Sequence, residues 1–235
     1  MKVGIMQPYF LPYIGYWQLI NAVDKYVVYD DVNFIKKGWI NRNRILSNGN
    51  DLFINILINK MSQNKLINET FLVEDESWKN KLLKTIENSY KKAPYYNCVM
   101  PILKNIVLNK ENNLALYLFN SLVLVNRYIG IDTKIILSSS IIKDNKLKGT
   151  DKILEICEKL NATEYYNAIG GIELYSFDIF RKNGIILSFL KTNEITYQQF
   201  NNEFVSNLSI IDVMMFNSKD KIKEMLDDFT LIREE

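Results

Sequence analysis

The first 29 residues constrain the fold more than any other stretch. Lys2 to Met6 is a short apolar run. MQPYFLPYIGYWQLI (6–20) follows with two of the chain's four prolines and turns helical over Ile14 to Ala22, and Lys25 to Tyr29 (KYVVY) is a second apolar run ending in Asp30-Asp31. Strand, stiff loop, helix and strand make a βαβ unit, whose strands are parallel and adjacent. With 235 residues, 48% of them hydrophobic, the chain buries a full core without staples.

Residues 51–59 (DLFINILIN) read as another strand. From Trp78 to Tyr90, Leu82, Leu83, Ile86 and Tyr90 recur at helical spacing until Ala93-Pro94, and 101–129 continue as apolar-rich helix. Alternation resumes with a strand from Thr133 to Leu137, the polar stretch SSSIIKDNKLKG, and a helix from Asp151 to Leu160, capped by Thr150 or Asp151, in which Ile153, Leu154, Cys157 and Leu160 share a face. A strand over Glu164 to Asn167, Gly170-Gly171, a helix to about Asn183, a strand over Ile185 to Leu190, and helices over Ile210 to Phe216 and Asp220 to Asp228 complete the chain. The expected fold is α/β: one domain over 1–235 with a mainly parallel, doubly wound (Rossmann-like) sheet, and 75–129 as a helical insertion or cap.

Histidine is absent, which removes Ser-His-Asp and Cys-His catalysis and histidine-containing metal sites; proton transfer falls to Asp, Glu, Lys, Tyr, Cys or the substrate. Cys98 and Cys157 have no CxxC neighbour, and each reads as a buried thiol. The net charge is +2 and the lysines are dispersed, so no nucleic-acid partner is expected, although a local patch could bind phosphate. Prolines interrupt the N-terminus where a signal peptide needs an apolar core, and no run reaches membrane-spanning length. The expectation is a cytoplasmic protein without membrane insertion and without a metal site; a homodimer is possible.

Ligands of open α/β sheets bind beyond the carboxyl ends of the strands. The loop after the first strand offers Gln7, Tyr9, Tyr13 and Tyr16, four polar tips on a segment stiffened by Pro8 and Pro12. After the second strand, YDDVNFIKKGWINRNRIL (29–46) offers Asp30 and Asp31, then Lys36, Lys37, Trp39, Asn41, Arg42, Asn43 and Arg44. Lysine and an arginine fork suit phosphate, tryptophan a base or sugar face, and asparagine hydroxyls. A third candidate combines Ser139 with Lys148 and Thr150 at a helix start, and a fourth is Gly170-Gly171. Core packing or an ordinary capped loop explains several of these equally well.

Tyr13-Ile14-Gly15-Tyr16 resembles the HxGH signature that follows the first strand in nucleotidylyltransferases and pantothenate synthetases, with tyrosine at both histidine positions. More specifically, MQPYFLPYIGYWQLI, YDDVNFIKKGWINRNRIL, YKKAPYY, LKGTDKILEICEKLNATEYYNAIGGIELY and LSIIDVMMFNS, in that order, resemble the WbqC-like family. That resemblance implies a place in bacterial surface-polysaccharide (O-antigen, lipopolysaccharide) assembly. The two resemblances together imply an amide-forming acyl- or aminoacyl-transferase or ligase acting on a nucleotide-linked amino sugar. Asp30, Asp31 and Tyr13 would serve the chemistry, and ATP with Mg or an already activated acyl donor would supply the energy. The alternatives are a nucleotidyltransferase that makes a nucleotide sugar, with Asp30 and Asp31 on a metal, and a non-catalytic nucleotide-sugar binder.

Overall fold

A computed structural model describes residues 1–201 and 203–234. The opening βαβ unit forms as the sequence requires. β1 (Lys2–Met6) and β2 (Lys25–Val28) pair in parallel, from Val3 beside Lys25 to Met6 beside Val28, across α1 (Ile14–Asn21). Gly4 lets the strands close up, since a β-carbon there would come within 3.2 Å of the Tyr26 ring.

A long excursion follows: a hairpin of β3 (Arg42–Ser47) and β4 (Asn50–Asn55), a two-residue ladder of β5 (Ile58–Asn59) and β6 (Phe71–Leu72), and helices α2 (Ser77–Tyr90), α3 (Tyr96–Val107) and α4 (Leu114–Ile129). The chain then adds β7 (Lys134–Leu137), α5 (Gly149–Lys159), β8 (Glu164–Ala168), α6 (Phe177–Lys182), β9 (Ile186–Thr192), α7 (Ile210–Phe216), α8 (Lys219–Leu226) and β10 (Phe229–Ile232). The central sheet runs β10-β9-β8-β1-β2-β7, parallel throughout except for β10, which pairs antiparallel with β9 at the edge. Strands are added outward from β1 through β2 to β7, and then on its other side as β8 and β9. The strand order therefore reverses at β1, the place where an α/β sheet opens a crevice at its carboxyl ends.

Alternation along the strands separates two apolar clusters. Val3, Ile5, Val27, Tyr165, Leu187 and Phe189 pack against Ile153, Ile156 and Cys157 of α5 and Phe180 of α6. Tyr26, Val28, Tyr166 and Leu190 face the other way, toward α1, and share one cluster with α2–α4, α7 and α8. The 75–129 helices thus pack into the main core. No helix among the described residues is long and apolar enough to cross a membrane.

The structure corrects four local readings. Residues 42–46 are a strand, turned into β4 by Asn48 and Gly49, both left-handed with φ of 50° and 79°; SNGN carried that hairpin signal. The 51–59 run breaks into β4 and β5. The 101–129 helix is two helices, because Asn113 accepts the Leu116 N–H and caps α4 anew. Cys157 is buried with its thiol pushed up to about 12 by burial, whereas Cys98 is exposed.

Candidate functional site: two cavities at the carboxyl ends of the sheet

The larger cavity, about 620 Å³, is walled by the segment after β2 (Tyr29, Asp31, Asn33), by Asn68 and Glu69, and by Ser139 after β7 with Lys148, Gly149 and Lys152 at the start of α5. Asp31 is its electrostatic centre. Lys143 Nζ lies 2.7 Å and Lys152 Nζ 3.1 Å from Asp31 Oδ2, and Lys152 also donates to the Asp31 carbonyl at 2.8 Å. Burial works against ionisation here, but the neighbouring Lys143, Ser138 and Lys152 groups, with the Lys143 charge, outweigh it and hold the carboxyl below its ordinary value. Neither Asp31 Oδ1 nor the adjacent Ser138 hydroxyl makes a hydrogen bond of good geometry among the described residues. Lys152 Nζ also lies 5.3 Å from the Tyr29 ring centre, so the cavity's cations are fixed by a carboxylate and an aromatic face.

Asp30 has a different task. Its Oδ1 accepts the Ser139 N–H at 2.9 Å and its Oδ2 the Ser139 hydroxyl at 2.6 Å, so it ties the end of β2 to the turn after β7. With both Asp30 oxygens engaged and two ammonium groups on Asp31, this pair does not fit a divalent cation. Ser139 lines the cavity, but its hydroxyl is committed to Asp30.

The smaller cavity, about 240 Å³, is formed by Tyr9, Pro12, Tyr13, Trp39, Asn43, Arg44 and Asn207. The proline loop and the Trp39–Arg44 segment therefore meet, but around a pocket that shares no lining residue with the Asp31 cavity. The 30–44 segment is thus divided, with Asp31 on the larger cavity and Trp39, Asn43 and Arg44 on the smaller one beside the proline loop. Asn43 builds the wall rather than offering its amide, since its Nδ2 donates to the carbonyls of Phe10 (3.0 Å) and Leu11 (2.9 Å). Ser209 Oγ donates to the Leu11 carbonyl as well, at 2.6 Å, and Leu11 is left-handed with φ of 44°. Buried polar groups thus hold a backbone conformation that a branched residue avoids.

Other sequence candidates serve the scaffold. Tyr16 is buried and donates to the Gln7 carbonyl, and Gln7 lines neither cavity. Asn41 is buried, donating to the Ile56 carbonyl. Arg42 folds back to donate to the carbonyls of Gly38 and Lys37, its guanidinium 4.9 Å from the Phe53 ring centre; Lys36 and Lys37 are exposed and line neither cavity. Thr150 is half-buried in the first turn of α5, off the cavity wall. Gly170 and Gly171 form a short turn after β8, and a β-carbon on Gly171 would meet the Asn167 amide at 3.0 Å. Asn33, Asn68, Glu69, Lys143 and Lys152 escaped sequence reading. Lys152 left one signal: with Ile153, Ile156 and Cys157 it lies on the buried stripe of α5, where an unpaired lysine does not belong.

The carboxylate fixed between two ammonium groups thus lies at the carboxyl ends of β2 and β7, beside β1, where the strand order reverses. The chain belongs to the WbqC-like protein family, whose model matches residues 7–224. It is 27% identical over 220 residues, covering 92% of this chain and 93% of the relative, to the uncharacterized protein Rv1507c of Mycobacterium tuberculosis (strain ATCC 25618 / H37Rv). No solved structure gives a significant match.

Proposed function

We propose that the chain is a transferase that joins an acyl or aminoacyl group to the amine of a nucleotide-linked amino sugar, and that the Asp31 cavity holds the sugar nucleotide. One observation carries the reading: the same 620 Å³ cavity is lined by Lys148, Lys152 and Glu69 over a carboxylate, Asp31, held ionised by Lys143 and Lys152. That volume is about twenty water volumes, enough for a phosphorylated sugar and part of its nucleoside. Lys148 and the first N–H groups of α5 suit the phosphates. Asp31, whose lowered pKa keeps it ionised, fixes Lys152 in the cavity wall, and Glu69, with Asn33 and Asn68, suits the sugar amine and hydroxyls. The amine lone pair attacks the acyl carbon of an activated donor, the bond from that carbon to the leaving group breaks, and the surplus amine proton leaves with that group. The setting we propose is surface-polysaccharide assembly in the cytoplasm, a reading that membership of the WbqC-like family supports. In this reading the chain is one Rossmann-like, doubly wound α/β domain, with α2–α4 as its cap.

Calorimetric titration with uridine-diphosphate glucosamine tests the reading. Wild type binds, and Lys148→Ala loses about tenfold in affinity if its ammonium meets a phosphate. Equal binding by both proteins, or no binding, overturns it. Binding without acylated product in the presence of acyl donors identifies a sugar-nucleotide binder instead.

A further inference from the structure

We infer that the Trp39 cavity is the acyl-group pocket of the same reaction, taking a small group with a carbonyl or carboxylate oxygen and a flat or short apolar body. The inference rests on the transferase reading above and gives its second substrate a place. Size decides first. About 240 Å³ equals roughly eight water volumes, room for an acyl group and not for a nucleotide. The Tyr9, Tyr13 and Trp39 rings and Pro12 supply apolar walls.

The polar groups at those walls include several donors without an acceptor in the protein. Burial raises the pKa of Tyr9 and of Tyr13, with the Tyr13 charge adding to the effect on Tyr9, so both hydroxyls keep their protons, and neither makes a hydrogen bond among the described residues. Arg44 supplies a guanidinium 5.7 Å from the Trp39 ring centre; its Nη1 reaches Asp51 at 3.3 Å, while its buried Nε–H meets no acceptor. No Asp or Glu lines the cavity, so a cationic amine meets no counter-charge there, whereas a carbonyl or carboxylate oxygen meets the Tyr9 and Tyr13 hydroxyls and the Arg44 guanidinium.

The walls are also set in advance. The Phe10 N–H donates to the Trp39 carbonyl at 3.1 Å, the Ile210 N–H to the Pro12 carbonyl at 2.9 Å, and Asn43 and Ser209 hold the left-handed Leu11 between them. Gly15 has no room for a side chain, because a β-carbon would lie 2.5 Å from the Tyr13 ring. A loop fastened at this many points spends no ordering entropy on closing around its ligand.

Saturation-transfer NMR on the full chain with benzoate, butyrate and 3-hydroxybutyrate, alone and with uridine-diphosphate glucosamine, tests the assignment. At least one acid binds wild type. Its affinity falls about tenfold in Arg44→Ala and Trp39→Ala, and about threefold in Tyr13→Phe, a change that keeps the ring and guards against a folding artefact. The nucleotide sugar binds alongside the acid, and Lys148→Ala weakens only the sugar. Failure of all three acids to bind, equal acid binding by the Arg44, Trp39 and Tyr13 variants, or competition between acid and sugar nucleotide overturns the inference. Acid binding through Arg44 with no nucleotide-sugar binding instead leaves this pocket standing and removes the transferase reading.

Discussion

Asp31 at the cavity and Asp212 in α7 are both carboxylates at least nine-tenths buried, yet their neighbours differ in kind. Asp31 faces the ammonium groups of Lys143 and Lys152. Asp212 meets only neutral donors: Tyr90 OH on Oδ2 at 2.8 Å, and Tyr197 OH (2.8 Å) and Gln199 Nε2 (2.6 Å) on Oδ1. Burial raises the Asp212 pKa, and the hydrogen bonds from Tyr90, Tyr197 and Gln199 only partly offset it. One carboxylate is built to stay charged beside a cavity. The other fastens α2 and the 193–209 segment onto α7, and its charge is a burden that neutral donors carry.

The largest expected effect comes from removing the Asp31 charge. Asp31→Asn leaves two buried ammonium groups facing a neutral amide and should destabilise the fold by about 3–5 kcal/mol in chemical denaturation. A loss below about 1 kcal/mol would mean that the lysines are solvated and that the cavity is less enclosed than its walls indicate.

Asp212→Asn should lose less, about 1–3 kcal/mol, because one carboxylate oxygen becomes an amide donor facing another donor while no unpaired charge is created. If the loss exceeds that of Asp31→Asn, the contrast between the two sites fails.

Acidification separates the two sites by sign. The Asp31 carboxyl is lowered, so its stabilisation is fully present above the unfolded carboxylate value, about 4, and is lost as pH falls through the lower folded value. The Asp212 carboxyl is raised, so what its proton contributes is fully present below the unfolded value and is lost as pH rises through the higher folded value. Denaturation across this range should show the gap between wild type and Asp31→Asn narrowing on acidification, while the gap for Asp212→Asn widens. Parallel curves would show that neither carboxyl is shifted.

The smallest effect is expected at the basic segment. Arg42→Ala removes the hydrogen bonds to Gly38 and Lys37 on a partly exposed loop, about 0.5–1.5 kcal/mol. It should leave nucleotide-sugar affinity unchanged in the same calorimetric titration used for Lys148→Ala. A tenfold loss on Arg42→Ala would return the phosphate site to this segment.

The sequence by itself determined the parallel pairing of β1 and β2, the alternation of strand and helix, and the helices of the excursion, because periodicity, caps and turn residues act between neighbours in the chain. It also carried the β3–β4 hairpin in SNGN, and a lysine on the apolar stripe of α5. Only tertiary structure decided which polar groups meet. Lys152 reaches the Asp31 carbonyl across 121 residues, Tyr90 reaches Asp212 across 122, and Ser209 reaches Leu11 across 198. Adjacent residues parted in the same way: Asp30 turned to Ser139 and Asp31 to the lysines, while Arg42 closed a loop and Arg44 lined a cavity. Side chains two apart on a strand share a face, but what that face meets is fixed by the packing of segments distant in sequence, which local pattern does not encode.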